Sequence, residues 1–219
     1  MSEHEKRGCM RVDTGNEGGQ SRSPRHFPRV LDIVFSAMGL LVLSPLLGLI
    51  AILVRASSPG PVFHRAVRAG VKGRTFTLYK FRTMYHRRED SGPGVTYGDD
   101  PRITAVGRVL RRWKLDELPQ LVNVLKGEMS LVGPRPEDPR FIPYYPSHLR
   151  SILEYKPGIT SPASVRYRNE SAILPTGNPE AEYIANILPE KLAIDIAYFR
   201  TAGLLDHVQL LFKTVLGRR

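Results

Sequence analysis

VLDIVFSAMGLLVLSPLLGLIAILV, residues 30–54, carries one charged side chain, Asp32, in 25 positions. A helix of that length reaches across a hydrocarbon core of roughly 30 Å, so the segment reads as membrane-embedded rather than as a core helix in water. It is too long for the apolar part of a signal peptide and has no small-residue cleavage site in the usual place. Ser44-Pro45 sits in its middle, where proline removes a backbone donor and crowds the preceding turn, so a kink is expected there. Arg25 and Arg29 precede the segment, and Arg55, Arg65 and Arg68 follow it. Basic flanks favour the cytoplasmic side, and both flanks can satisfy that preference only if the helix bends back as a re-entrant hairpin. These features alone leave the hairpin and an ordinary kinked span both open. Asp32, near one end, can snorkel or pair with Arg29. No second apolar run of this length follows, so the rest of the chain faces the cytoplasm on either reading.

The 219 residues suit one domain of ordinary size with appendages, and 42% hydrophobic content supports a sizeable core. Residues 1–28 lack apolar periodicity and read as a disordered basic head; 29–57 form the membrane helix and 58–219 a single cytosol-facing domain. The one cysteine, Cys9, permits no internal disulfide, and structural zinc held by thiolates is excluded. The net charge of +11 is local: residues 55–115 hold 14 Lys/Arg against 4 Asp/Glu, whereas residues 116–219 hold 12 of each. Such a stretch suits nucleic acid, anionic lipid or a phosphorylated ligand. Aromatic residues are not interleaved with the basic run as a stacking platform needs, which argues against nucleic acid.

Beyond the turn at 57–61, Val62–Arg65 and Thr75–Phe81 read as strands around the glycine-containing turn 70–73. Residues 89–101 are a loop by their Gly, Pro and Asp content. A short basic helix over 102–114 shows Val106, Val109, Leu110 and Trp113 at helical spacing. A second helix carries the stripe Leu118, Leu121, Val122 and Leu125 and stops at Gly127. Further helices are expected over 188–200 and at the end of the chain, where Leu204, Val208, Leu211, Phe212 and Val215 share one face that suits core packing better than lipid contact. The fold class is therefore α+β, mainly helical, with a small β element. Neither a dinucleotide fingerprint nor a P-loop occurs, and the six histidines lack ligand spacing.

KLDELPQ, residues 114–120, places Asp116 and Glu117 at a helix start amid cations. An acidic residue there is ordinarily a cap, stabilised as the ionised form by free N–H groups and the helix dipole. Adjacent helical positions do not share a face, so the pair forms no close dyad unless the helix start is irregular. Lys80 and Arg82 in a strand-like run, Arg111 and Arg112 before the pair, and Arg135 between prolines could together clamp a diphosphate. A carboxylate among them suits a nucleophile on phosphorus or a Mg²⁺ ligand.

RAVRAGVKGRTFTLYKFRTM (65–84), DDPRITAVGRVLRRWKLDELPQLVNVLKGEMSLVGPRPE (99–137) and YKPGIT (155–160) resemble the bacterial sugar transferases, monotopic phosphoglycosyl transferases that start glycan assembly on a polyprenyl phosphate. The resemblance runs from about residue 29 to 160. It implies that Asp116 attacks the β-phosphate of a UDP-sugar, releases UMP and holds the phosphosugar until polyprenyl phosphate takes it. It implies Glu117 as partner acid, Mg²⁺ held by Asp116 and Glu117, Arg111 and Arg135 at the phosphates, and a re-entrant helix broken at Ser44-Pro45 in the inner membrane. Lys80, Arg82 and Arg168 are further phosphate or nucleotide candidates, and Arg112, Arg166, Asn169, Asp195 and Tyr198 are candidate substrate contacts. Asp195 and Tyr198 match a family Asp-x-x-Tyr pattern, although an exposed helix carboxylate is the plainer reading. Lys114 stands where serine or threonine often precedes Leu-Asp-Glu, and SPASVRYRNE (161–170) replaces the more frequent GWAQVNGRN. UDP-sugar, polyprenyl phosphate and a lipid bilayer are the implied partners, nucleic acid is not, and a homo-oligomer is left open. The alternatives are a membrane-anchored adaptor without catalysis and, among enzymes, direct attack by the lipid phosphate.

Overall fold

A computed structural model describes residues 26–86, 95–97, 100–175 and 177–216. Most of the basic head with Cys9, most of the 89–101 loop and the final Arg218 and Arg219 lie outside the described residues. Helix α1 (Arg29–Ser57) is the one described helix long and apolar enough to cross a membrane. It stays one helix through Pro45, so the break expected at Ser44-Pro45 does not divide it into two. The reason is local. Pro45 has no N–H for the Leu41 carbonyl, and the Ser44 hydroxyl donates to that same carbonyl at 2.8 Å.

Both ends of α1 are fastened to one body. At the first, the Arg29 guanidinium donates to the carbonyls of Val124 and Leu125, and buried Asp32 accepts from Ser130 Oγ (3.0 Å) and the Leu131 N–H (2.8 Å). At the second, Ile50 and Val54 pack with Phe81 and Leu110. Between them, Leu41, Val42, Leu46 and Leu49 are exposed. Arg82 closes the second end: its buried guanidinium donates to the carbonyls of Val54 (3.2 Å), Ser58 (2.6 Å) and Pro59 (2.9 Å). A helix end leaves such carbonyls without partners, and this use of Arg82 removes it from the phosphate candidates.

Strands β1 (Phe63–Ala69) and β2 (Thr75–Phe81) pair antiparallel, from Phe63 opposite Phe81 to Ala69 opposite Thr75. Their turn uses Lys72 and Gly73 at positive φ. Helix α2 (Ala105–Trp113) is capped by the Thr104 hydroxyl, which accepts from the Gly107 N–H. It lies so close to β2's exit that a Cβ on Gly107 would meet the Thr83 carbonyl oxygen at 2.0 Å.

Helix α3 (Gln120–Lys126) turns Asn123 and Val124 inward and leaves Leu118, Leu121, Val122 and Leu125 half-buried. The expected apolar stripe is therefore not the innermost face. Asn123 earns its place by hydrogen bonding: its amide donates to the Thr77 carbonyl and to Glu128, and its oxygen accepts from the Tyr79 N–H.

A second sheet pairs β3 (Ser130–Val132) with β4 (Gly158–Thr160) in parallel. The chain then forms the short helices α4 (Pro162–Arg166), α5 (Glu170–Ile173) and α6 (Pro179–Glu182), a π turn (Tyr183–Ile187), and the longer α7 (Leu188–Thr201) and α8 (Leu204–Leu216). In α8, His207 and Leu210 face inward while Leu204, Leu205, Phe212 and Leu216 are exposed. The core-packed stripe expected there is corrected for Leu204 and Phe212. The rings of Phe27, Tyr198 and Phe199 gather around His207 and take up that side of the helix.

Candidate active site

Lys114 sets the geometry of the acidic pair. It adopts a left-handed conformation (φ 58°) that ends α2, and Leu115–Glu117 form one 3-10 turn before α3 begins at Gln120. Asp116 and Glu117 therefore occupy an elbow between two helices, and Asp116 caps neither. This corrects the N-cap reading and meets the one condition, an irregular helix start, under which neighbouring carboxylates can act together.

Asp116 is 7% exposed, and its Oδ1 has no hydrogen-bond partner. Burial raises its pKa, Glu117 raises it further, and Lys80, Arg111 and Lys114 pull the other way without prevailing. The raised pKa runs against the stabilisation of the anion expected from a helix start. Glu117 differs. Burial pushes it up, but its ion pair with Arg135 (2.7 Å), with Lys114 and Lys80 behind it, holds it at about 2. Within one turn the chain makes an acid fixed as the anion and a second whose ionisation is opposed.

The pair lies in a cleft of about 400 Å³. Arg68, Lys80, Arg108, Arg111, Arg112, Lys114, Arg135, Arg168 and Lys191 line it, against Asp116, Glu117, Glu137, Asp138 and Glu170. Lys80 projects from β2, and burial with Arg111 and Arg68 nearby lowers its pKa to about 8. Arg111 is held by a bond from its Nε to Thr83 Oγ1 at 2.8 Å. That contact depends on the close approach at Gly107. Such a cationic hollow, partly shielded from water, suits phosphate oxygens.

The cleft brings together Lys80, Arg111, Arg112, Asp116, Glu117, Arg135, Arg168 and Asn169 from the sequence-predicted set. Four candidates lie elsewhere. Arg82 closes α1, and Arg166 forms an exposed ion pair with Glu190 at 2.6 Å. Asp195 is buried rather than exposed, and its Oδ1 accepts from the Ala163 N–H at 2.9 Å in the first turn of α4. Burial raises it to about 7, against the bonds from Ala163 and Ser161 that favour the anion. Tyr198 bonds His207 Nδ1 through its hydroxyl at 3.1 Å. Sequence reasoning missed Arg68, Arg108, Glu137, Glu170 and Lys191 as site residues. Arg68 could have been found, because it falls on the same short strand as the resemblance. Lys191, far along the chain on α7, offered no signal.

Among the described residues no group of three or more His, Cys, Asp or Glu side chains could hold a metal. The donor set fits Mg²⁺ in a weaker sense. Asp116 offers a free oxygen, and Mg²⁺ ordinarily takes one or two carboxylates and completes its shell with water and substrate phosphates. Glu117 keeps a lone pair on each oxygen beyond its contacts with Arg135 and can join from there.

The profile of the bacterial sugar transferase family matches residues 23–218. The UDP-glucose:undecaprenyl-phosphate glucose-1-phosphate transferase of Caulobacter vibrioides is 40% identical over 193 residues, covering 85% of this chain and 67% of that protein. The enzyme of the same name from Escherichia coli K12 is 36% identical, covering 87% and 40%. The UDP-N-acetylgalactosamine-undecaprenyl-phosphate N-acetylgalactosaminephosphotransferase of Aeromonas hydrophila is 34% identical, covering 85% and 42%. The chain spans less than half the length of the last two.

Proposed function

The chain belongs to the bacterial sugar transferase family, and on that premise we propose that it moves a sugar-1-phosphate from a UDP-sugar to a polyprenyl phosphate through an aspartyl intermediate on Asp116. The observation that carries this reading is the unpartnered, buried Oδ1 of Asp116 at the edge of a cationic cleft. Structural carboxylates are bonded, as Asp32 and Asp195 are; an orphan buried oxygen calls for a reason, and a waiting electrophile is one.

In the first half-reaction Asp116 attacks the β-phosphorus. A new O–P bond forms, the bond from that phosphorus to the bridging oxygen breaks, and UMP leaves with the electron pair. In the second, an oxygen of polyprenyl phosphate attacks the same phosphorus, forms the diphosphate link and returns the Asp116 carboxylate. Lys80, Arg111 and Arg112 are suited to neutralise the leaving phosphate, and the Glu117–Arg135 pair fixes a guanidinium beside the attacked group. Mg²⁺ would be held by Asp116 and the donor's phosphates and would supply charge neutralisation.

A lipid acceptor needs the cleft near a membrane. Both ends of α1 packing on one body, with the apolar middle exposed, supports a segment that enters the bilayer and returns to the same, cytoplasmic face. The exposed Val109 and Trp113 of α2 and Leu205 and Phe212 of α8 suit contact with the interface.

The test is UMP release from a UDP-sugar panel headed by UDP-glucose and UDP-N-acetylgalactosamine, with protein in a bilayer, Mg²⁺ and undecaprenyl phosphate, beside Asp116→Asn. Release by the native chain with none from the variant is the expected result. An unaffected variant moves the chemistry to a different nucleophile or to direct attack by the lipid phosphate, and a silent panel from folded protein returns the weight to a non-catalytic adaptor.

A further inference from the structure

The two walls of the cleft come from distant parts of the chain. One is the turn Gly133–Asp138 with Arg135. The other is the segment that carries Arg168 and Asn169 into α5. Neither is a long regular element, and the first is tied by backbone hydrogen bonds to β1 and β4 rather than to the second. A single ammonium joins them. Lys191, 5% exposed on α7, donates to Glu137 Oε1 at 3.1 Å, to Glu170 Oε2 at 2.8 Å and to the Tyr183 hydroxyl at 2.9 Å. Glu137 follows Arg135 by two residues, and its carbonyl accepts from the Ala69 N–H at the end of β1. Glu170 follows Asn169 directly. All three Lys191 donors are thus used, two of them on carboxylates that line the cleft.

Resting on the transferase reading, we propose that Lys191 is a positioning residue: it fixes the separation between the Arg135 turn and the Arg168–Asn169 segment, so that the nucleotide-sugar meets one preformed surface. It also screens Glu137 and Glu170, which would otherwise present uncompensated negative charge to a diphosphate. Burial disfavours the ammonium, but the two carboxylates outweigh that and raise its pKa, so it stays charged.

Lys191→Met alone leaves two half-buried carboxylates close together without their shared cation and risks misfolding. The informative variant is Lys191→Met with Glu170→Gln, which removes the link with less unbalanced charge. Lys191→Arg is the conservative comparison. Full-length chains in a bilayer are compared by UDP binding in calorimetry, by steady-state UMP release and by thermal melting. With the double variant melting cooperatively, the dissociation constant for UDP and the KM for the sugar donor are expected to rise roughly 10- to 100-fold. Lys191→Arg should recover much of that rise. A purely structural role instead lowers the active fraction and apparent kcat at unchanged KM. UDP affinity and KM within twofold of the native chain, or no recovery with arginine, overturn the proposal. Native protein that binds UDP but releases no UMP breaks the transferase reading instead, and leaves the link to be judged on UDP affinity alone.

Discussion

The foot of α1 and the elbow before α3 each bury an aspartate, and they treat it in opposite ways. Asp32 receives a hydroxyl and a backbone N–H on one oxygen, 98 and 99 residues away in sequence. Asp116 sits among cations, yet its Oδ1 has no partner at all. The first arrangement satisfies a polar group so that a helix can be anchored. The second leaves one unsatisfied in a hollow open to ligands. Burial alone therefore does not distinguish a structural acid from a reactive one; the accounting of its lone pairs does.

The sharpest break of this comparison is Asp116→Asn. UMP release should fall by at least about 10³-fold if the carboxylate is the nucleophile. Its pKa is raised in the folded state, so between the unfolded and folded values the folded protein keeps a proton that the unfolded chain has released. The stability tied to that proton is complete below the ordinary value near 3.8 and is lost as pH rises through the elevated one. The amide escapes this loss, so the variant should melt at the same or a higher temperature at neutral pH. A variant that loses activity by losing stability would put Asp116 in the same class as Asp32.

Asp32→Ala is the converse experiment. Leaving the Leu131 N–H and Ser130 hydroxyl buried without their acceptor should cost about 2–4 kcal/mol in chemical denaturation, while UMP release per folded molecule stays within about threefold. Next in size is the alkaline limb of activity. Lys80 loses its charge at about pH 8, so the KM for the sugar donor should climb above that pH. Lys80→Met should show a high KM at every pH and no such climb. The smallest effect is expected at Ser44→Ala. Removing the hydroxyl that serves the Leu41 carbonyl should cost about 1 kcal/mol and leave UMP release unchanged, read by melting in a bilayer.

Much of this molecule is legible without coordinates. The apolar run 30–54, the hairpin around Gly70–Gly73 and the helix ended by Gly127 follow from composition, turn chemistry and periodicity. The basic stretch leading into Asp116 and Glu117 marks the cleft. What escaped depends on long-range partners. Arg82 and Arg135 are both arginines beside apolar or proline-rich runs, and nothing local says that one meets carbonyls of α1 and the other meets Glu117. Strands of three residues, such as β3 and β4, carry no period to read. Asp195 matched a pattern, but its partner, the Ala163 N–H, lies 32 residues away.

Lys114 holds a left-handed backbone that glycine or asparagine would adopt with less strain, and its ammonium lines the cleft. Two selections therefore act on one position and disagree. A scan of substitutions there, scored for survival on heating, should favour Lys114→Gly; scored for turnover, it should favour the native lysine. Drift toward the more robust allele is then a route by which a lineage could keep the shape of this elbow and lose its chemistry.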